Sequence, residues 1–150
     1  MVIKTFRGLI ASGSTEQISL STNNGLTGYR IIKLQLMPHQ FGASAGELES
    51  VFKVYTVEPD SAADGVIDFS DQRIVGAAII NAEAVADSYP TVLTAVFDNV
   101  KFNQDIYITH KNLHADAGPV SYYFELEVST LSLDEQTVAT LKNIRNIGAE

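Results

Sequence analysis

The sequence predicts an all-β fold, a jelly-roll-like antiparallel β-sandwich of about eight strands with a short C-terminal helix. Segments of strand character recur at spacings near the 8–12 residues typical of sandwiches and barrels. No long helical pattern separates them, which argues against a parallel βαβ sheet. Eight strands with several long loops in 150 residues fit a jelly roll better than a compact immunoglobulin domain.

The strongest strand signal is the stretch from Val120 to Leu131, where apolar and polar residues alternate strictly. A period of two indicates a strand with one face in a core and one in water. The inner face is predicted to hold Val120, Tyr122, Phe124, Leu126 and Val128, and the outer face Ser121, Tyr123, Glu125, Glu127 and Ser129.

The other predicted strands come in chain order before this one. Asn24-Gly25 supplies the positive φ values that a tight turn needs, and Pro38 ends a strand because it lacks an N–H. In the strand before Pro38, Ile32 shares one face with Leu34 and Leu36, whereas Ile31 shares the other face with Lys33 and Gln35. Residues 82–89 permit either a helical turn or a loop. The predicted strands are Val2 to Ile10, Gln17 to Ser21, Tyr29 to Met37, Leu48 to Val57, a short one at Val66 to Phe69, Arg73 to Asn81 (buried on both faces), Thr91 to Phe97 and Asp105 to His110.

Ser132 to Arg145 is predicted to be a helix. Ser132 and Glu135 form a capping box, in which each side chain accepts a hydrogen bond from a free N–H of the first turn. Acidic residues lie near its start and Lys142 and Arg145 near its end, as the helix dipole favours. Asn143, Asn146 and Gly148 predict fraying at the end. We assign residues 1–131 to the sandwich and 132–150 to a helix and tail of the same single domain.

Val138, Leu141 and Ile144 recur every three residues and form a narrow apolar stripe on this helix. Such a stripe must be buried against another surface. That surface is either the chain's own β-sandwich or a neighbouring subunit. If it is a subunit, the predicted interface residues are Val138, Leu141, Ile144 and Arg145.

The composition excludes several classes of protein. The 45% hydrophobic and 19% charged residues are ordinary for a globular chain and argue against disorder. A net charge of −8 with no run of Lys and Arg predicts no nucleic-acid partner and no anionic-membrane partner. There is no cysteine for disulfides or thiolate metal sites. We expect neither a signal peptide nor a membrane span, since the longest apolar run is short.

Candidate metal ligands are sparse. His110, His114 and Asp116 lie close in sequence, but the surrounding Gly and Pro residues indicate a solvated loop, and His39 is isolated beside Pro38. An acidic loop has oxygen ligands suited to calcium but lacks the residue order of an EF-hand. We therefore predict no metal and no cofactor. The acidic residues of that loop are Asp60, Asp64, Asp68 and Asp71.

We also predict that the chain is not an enzyme. Glu125 and Glu127 lie two residues apart, a pair that can line a glycosidase cleft but that also solvates a sheet face. Ser14 lies in a loop with no histidine close in sequence, and there is no nucleophile elbow, phosphate loop or dinucleotide motif. A cupin-type metalloenzyme needs several histidines on strands, and only His110 fits that position.

Exposed aromatic side chains are the candidates for carbohydrate stacking. The alternation places Tyr123 on an outer face, and Tyr29 and Tyr55 are further candidates. The chain has no tryptophan, the usual stacking residue, so cross-strand packing is the simpler role of these tyrosines.

Three segments together resemble a known family. They are Asp105 to His110, Val120 to Glu127 and Thr137 to Arg145, and they are similar to the C-terminal part of small virion structural proteins from marine tailed bacteriophages. The resemblance covers about the last 45 residues and carries no catalytic signature.

The resemblance implies a capsid decoration or cement protein, or a minor capsid protein, with no catalytic residues. Its implied partners are the major capsid protein or other virion proteins, together with further copies of itself in a homo-oligomer. Its implied location is the exterior of the phage head after synthesis in the host cytoplasm. The alternative is a carbohydrate-binding module with a shallow groove lined by aromatic and amide groups.

Overall fold

The computed structural model describes residues 1–22, 24–40, 48–82, 91–115 and 118–148. Within these residues the chain forms two antiparallel sheets and one C-terminal helix, as the sequence predicts. The strands are β1 (Val2–Ile10), β2 (Ser14–Ile18), β3 (Thr27–Pro38), β4 (Leu48–Tyr55), β5 (Ile74–Ala82), β6 (Thr91–Val96), β7 (Ile106–Asn112) and β8 (Val120–Thr130), and the helix is α1 (Leu133–Gly148).

The strand order is that of a jelly roll with one change. One sheet has the order β1-β8-β3 and the other β2-β7-β4-β5-β6. A jelly roll arises when a long antiparallel ribbon rolls up, so that its first strand pairs with its eighth, its second with its seventh, its third with its sixth and its fourth with its fifth. Three of these pairings are present, but β6 pairs with β5 instead of β3. The predicted fold class is confirmed, and β6 extends the larger sheet.

Two predicted strand positions are wrong. The second strand spans Ser14–Ile18 rather than Gln17 to Ser21, because Gly13, with φ of 82°, closes a turn against β7 at that point. No strand forms at Val66 to Phe69, where Asp64 and Asp68 accept hydrogen bonds from backbone N–H groups two residues ahead. Such bonds favour turns over strands.

The predicted Asn24-Gly25 turn is present, with Gly25 at φ of 65°. Residues 83–89 of the ambiguous 82–89 segment lie outside the described residues.

A β-bulge in β3 shifts the predicted alternation. The register with β8 changes between Ile31 and Lys33, so that Ile32 has no direct partner. The extra residue puts Ile31 on the core face together with Leu34 and Leu36. The sequence pattern placed Ile31 on the face opposite Leu34 and Leu36, because a period-of-two pattern has no means of showing an inserted residue.

The core lies between the two sheets and is centred on β8. Phe124 and Leu126 are fully buried, and the Phe124 ring stacks on Phe6 of β1 with ring centroids 5.2 Å apart. Tyr122 stacks on Phe52 of the opposite sheet at 5.5 Å. The predicted inner face of β8 therefore joins both sheets.

The outer face of β4 is also buried. Lys53, only 4% exposed, donates from Nζ to Asp64 Oδ1 and to the carbonyl of Val66, both at 2.7 Å. Burial opposes the charge on Lys53, but the hydrogen bonds with Asp64 and Tyr55 and the charges of those two groups together outweigh it, so the pKa of Lys53 lies above its ordinary value. This contact ties the segment between β4 and β5 to the outside of the larger sheet.

The capping box predicted at the start of α1 is present. The Glu135 N–H donates to Ser132 Oγ at 3.2 Å, and the Ser132 N–H donates to Glu135 Oε2 at 3.3 Å.

Within the described ranges, no helix has the length and apolar character needed to cross a bilayer.

Candidate functional site

Helix α1 is attached to the sandwich by its polar side. Asn143 Nδ2 donates to the carbonyl of Thr56 at 3.1 Å, and Asn146 Nδ2 donates to the carbonyl of Gln72 at 3.4 Å. Asn103, which precedes β7, donates to Thr140 Oγ1 at 3.1 Å. Asn146 is buried, so the predicted fraying role of Asn143 and Asn146 is wrong: these amides hold the last turns in place.

The apolar side of α1 faces away from the sandwich. Val138, Leu141 and Ile144 are 65%, 60% and 59% exposed, and Leu133 and Ile147 are exposed as well. The alternative in which this stripe packs on the chain's own sandwich is therefore wrong, because the polar side occupies that contact. The subunit interface made by Val138, Leu141, Ile144 and Arg145 stays a prediction. We call the surface formed by Leu133, Val138, Leu141, Ile144 and Ile147 the apolar helix face.

A groove of about 580 Å³ runs beside the first half of α1. It lies between the helix and the loop after β6, and its apolar walls come from Val100, Leu131 and Val138. Val138 therefore belongs both to the apolar helix face and to this groove. The groove extends the exposed apolar surface from the helix onto the sandwich.

A second, more polar cleft of about 610 Å³ lies near the end of α1. Tyr107 lines it together with the amides of Gln104 and Asn143 and the carboxylates of Glu58 and Asp105. Burial raises the pKa of Tyr107, and the nearby charges of Glu58 and Asp105 raise it further. An aromatic ring beside amides and carboxylates is chemistry that suits a polyhydroxylated ligand.

This cleft was not anticipated from sequence. Its residues come from three separated segments, 56–60, 104–107 and α1, and each segment taken alone has an ordinary loop or helix composition. Asp105 also has a structural role, because its Oδ1 accepts hydrogen bonds from the N–H groups of Leu20 and Ser21 at 2.7 and 2.8 Å.

The tyrosines singled out for stacking lie elsewhere. Tyr29 is buried and donates to the carbonyl of Leu20, and Tyr55 is buried beneath the Lys53 ammonium. Their candidacy for exposed stacking is therefore wrong. Tyr123 is on the outer face as predicted, but its hydroxyl donates to Glu125 at 2.6 Å and Lys33 lies over its ring.

The carboxylates of β8 are likewise engaged. Glu127 Oε2 accepts hydrogen bonds from Arg30 at 2.6 and 3.0 Å, and Glu125 accepts the hydroxyl of Tyr123. These contacts support the interpretation of the pair as a solvated and cross-linked sheet face.

His110 is fully buried, and both its ring nitrogens are hydrogen-bonded. Nδ1 lies 3.1 Å from the carbonyl of Ile10, and Nε2 lies 2.9 Å from Ser50 Oγ. Because a carbonyl oxygen only accepts, Nδ1 carries the hydrogen and Ser50 donates to Nε2. This Ser–His pair was missed from sequence, since Ser50 and His110 lie on different strands. Both residues are sealed from solvent, which favours a structural role.

His110 does not lie in a metal cluster with His114 in the described residues, and Asp116 lies outside them. In the acidic loop, Asp64 binds Lys53, Asp68 accepts from Ser70 and Asp71 accepts from Arg73. Asp60 is exposed. The described part of the chain contains no group of three or more potential metal ligands.

Buried His110 predicts a pH-dependent stability. Burial lowers its pKa below the ordinary 6.5, so the folded ring stays neutral where the unfolded chain takes up a proton. The contribution of neutral His110 to the free energy of unfolding is therefore full above about pH 6.5 and is lost as the pH falls below that value. Below about pH 6.5 we expect the free energy of unfolding to decrease as the pH falls, by at most about 1.4 kcal/mol per pH unit for this one group.

Urea unfolding at several pH values measures this effect. His110→Gln should weaken the dependence of the free energy of unfolding on pH between about pH 7.5 and 5. The control His39→Gln, at an exposed position, should retain that dependence. The hydrogen bond with Lys53 lowers the pKa of Asp64, and the one with Arg73 lowers that of Asp71. The stability that Asp64 and Asp71 contribute is therefore lost only at a pH below the range in which His110 takes effect. An equal slope in both histidine variants would contradict the assignment.

The fold and the exposed helix define a jelly-roll β-sandwich that carries an unpaired apolar helix face. No protein-family model matches the chain. No curated protein matches it either. Among solved structures it is similar to VP1 of the Trichodysplasia spinulosa-associated polyomavirus in complex with 3'-sialyllactose, with 8% identity, a TM-score of 0.40, and coverage of 87% of this chain and 95% of that one. A likeness at this level carries no functional argument, and the resemblance to phage virion proteins stays an expectation.

Proposed function

We propose that this chain is a non-enzymatic structural protein of a phage virion, a capsid decoration or cement protein or a minor capsid protein. It stabilises the head through contacts with the major capsid protein or other virion proteins, and it forms a homo-oligomer. The observation that carries this proposal is the apolar helix face, which is exposed on a helix whose polar side is bound to the sandwich.

An exposed apolar face of this kind favours protein–protein contact. Each apolar side chain removed from water contributes roughly 25 cal/mol per Å² of buried area. Contiguous exposed apolar patches on monomers mark interaction sites. The amides of Asn143 and Asn146 fix the helix on the sandwich before any partner arrives, so little ordering is needed on binding.

The charge supports a position on the outside of the shell. At a net charge of −8 the chain is repelled by packaged DNA and by anionic membrane surfaces. The proposed partners are therefore proteins, with neither nucleic acid nor membrane among them. A sandwich with a core shared by both sheets serves as the rigid body that presents the helix.

Immunogold labelling of intact virions from the source of this sequence tests the proposal. We expect label on the exterior of the head, and quantitative mass spectrometry of the same particles should give a copy number in fixed ratio to the major capsid protein. The control is the same preparation treated with non-immune antibody. Absence of the chain from purified virions would exclude the proposed function.

The polar cleft favours a second candidate, a carbohydrate-binding module. The ring of Tyr107 and the amides of Gln104 and Asn143 provide the stacking and hydrogen-bonding groups that such a site uses. A glycan array probed with the wild-type chain and with Tyr107→Ala discriminates between the two functions. Binding that depends on Tyr107 supports the module, and absence of binding leaves the virion role.

A further inference from the structure

Four residues form a straight seam along the exposed side of α1. Asp134, Val138, Leu141 and Arg145 follow one another at intervals of four, three and four residues, so they lie on one side of the helix. All four are exposed. We call this set the helix seam; it places two apolar residues between an acid and a base.

The two charged ends of the helix seam have no ion-pair partner among the described residues. The ion pairs there are Arg30 with Glu127, Lys53 with Asp64 and Arg73 with Asp71. Asp134 and Arg145 also lie near opposite ends of α1, too far apart along the helix to pair with each other.

The seam is complementary to itself in the antiparallel direction. When Val138 of one copy is set against Leu141 of another, Asp134 of each copy falls opposite Arg145 of the other. This follows because both charged residues lie four positions outside the apolar pair. Antiparallel packing also aligns the helix dipoles favourably.

Parallel packing of two copies has the opposite consequence. It would set Asp134 against Asp134 and Arg145 against Arg145, with like charges at both ends. The charge pattern therefore selects one orientation.

We propose that the occupant of the apolar helix face is a second copy of this chain, packed antiparallel about a two-fold axis. The two helices contact each other through the helix seam, with Val138 against Leu141 and Asp134 against Arg145 at both ends. A two-fold contact is isologous, so each contact between seam residues occurs twice in the interface. This inference deepens the proposed function, because it names the partner behind the homo-oligomer.

The surface around the seam enlarges the contact. The 16 residues of α1 span about 24 Å, and Leu133 and Ile144 of the apolar helix face flank the seam. On the other side the groove lined by Val100 and Leu131 receives part of the partner helix. The helix pair is the centre of the interface.

Complementary charge reversals test the pairing with purified protein alone. Asp134→Arg and Arg145→Asp each place like charges at both ends of the pair, and each should weaken self-association by about tenfold or more. A one-to-one mixture restores opposite charges at both ends, so it should associate as wild type does. The control reversal Glu49→Arg, on β4, should leave self-association unchanged.

Analytical ultracentrifugation over a range of concentrations gives the association constants, and circular dichroism verifies the helix in each variant. A wild-type chain that stays monomeric, or a mixture that does not recover, would overturn the inference. Immunogold labelling of virions is independent of this result, so failure of the helix pair and failure of the virion role are distinguishable.

Cysteine cross-linking provides a second measurement that needs no charge reversal. The chain has no cysteine, so each introduced thiol is the only one in its copy. Val138→Cys mixed with Leu141→Cys should form a disulfide in oxidising buffer more readily than either variant alone. Cross-linking of each variant with itself in preference to the mixture would indicate parallel packing and contradict the proposal.

Discussion

Phe124→Ala is expected to destabilise the fold by about 3–5 kcal/mol, the cost of removing a fully buried phenylalanine from a core. The ring is 0% exposed and touches Phe6 at 5.2 Å and Tyr122 at 5.9 Å between centroids. Truncation leaves a cavity in β8, the strand that pairs with both β1 and β3. Since small domains are stable by only about 5–15 kcal/mol, this variant should be largely unfolded on mild heating.

Urea unfolding followed by tyrosine fluorescence and circular dichroism measures the loss. Phe124→Leu retains most of the volume and keeps the measurement in range if the alanine variant does not fold. The matched control is Tyr123→Ala, one residue away on the outer face, with an expected cost of about 1 kcal/mol or less. Equal losses for Phe124→Ala and Tyr123→Ala would show that the assignment of the two faces of β8 is wrong.

Leu141→Asp is expected to abolish self-association while leaving a folded monomer. Leu141 is 60% exposed and contributes little to the core, so the free energy of unfolding should change by about 0.5 kcal/mol. In the helix pair the same carboxylate would lie among apolar side chains. A central interface residue contributes about 2 kcal/mol or more, which corresponds to some 30-fold in Kd.

Light scattering of the variant and of wild type at equal concentration gives the mass, and urea unfolding gives the stability. Met37→Asp is the matched control, because Met37 is also a large exposed apolar residue but lies on β3, away from α1. We expect this control to retain the wild-type mass. An unfolded Leu141→Asp variant would show that the helix side chain belongs to the subunit's own core.

The strands could be predicted because their signal is local. In β8 the alternation of Val120 to Ser129 appears directly in the residues, and the buried side chains are those that the period of two selects. The capping box of Ser132 and Glu135 is equally local and is present. The bulge at Ile32 was not predictable, because it appears only when β3 is aligned with its partner strand.

The candidate site could be predicted in part. Val138, Leu141 and Ile144 form an apolar stripe in the sequence, and the structure shows these side chains on one exposed side of α1. Which side of the helix faces the sandwich could not be predicted. The carbonyls of Thr56 and Gln72, to which the helix binds, come from distant segments that only the folded chain brings together.

The sequence by itself therefore determined the fold class, the helix and its apolar stripe, since each depends on residue periodicity within a single element. The tertiary structure decided the pairing of β6 with β5, the burial of His110 against Ser50 and the outward direction of the stripe. These features depend on contacts between segments far apart in sequence. Polar carbonyls at the surface of the sandwich bind the amides of α1, and the apolar helix face is left in water.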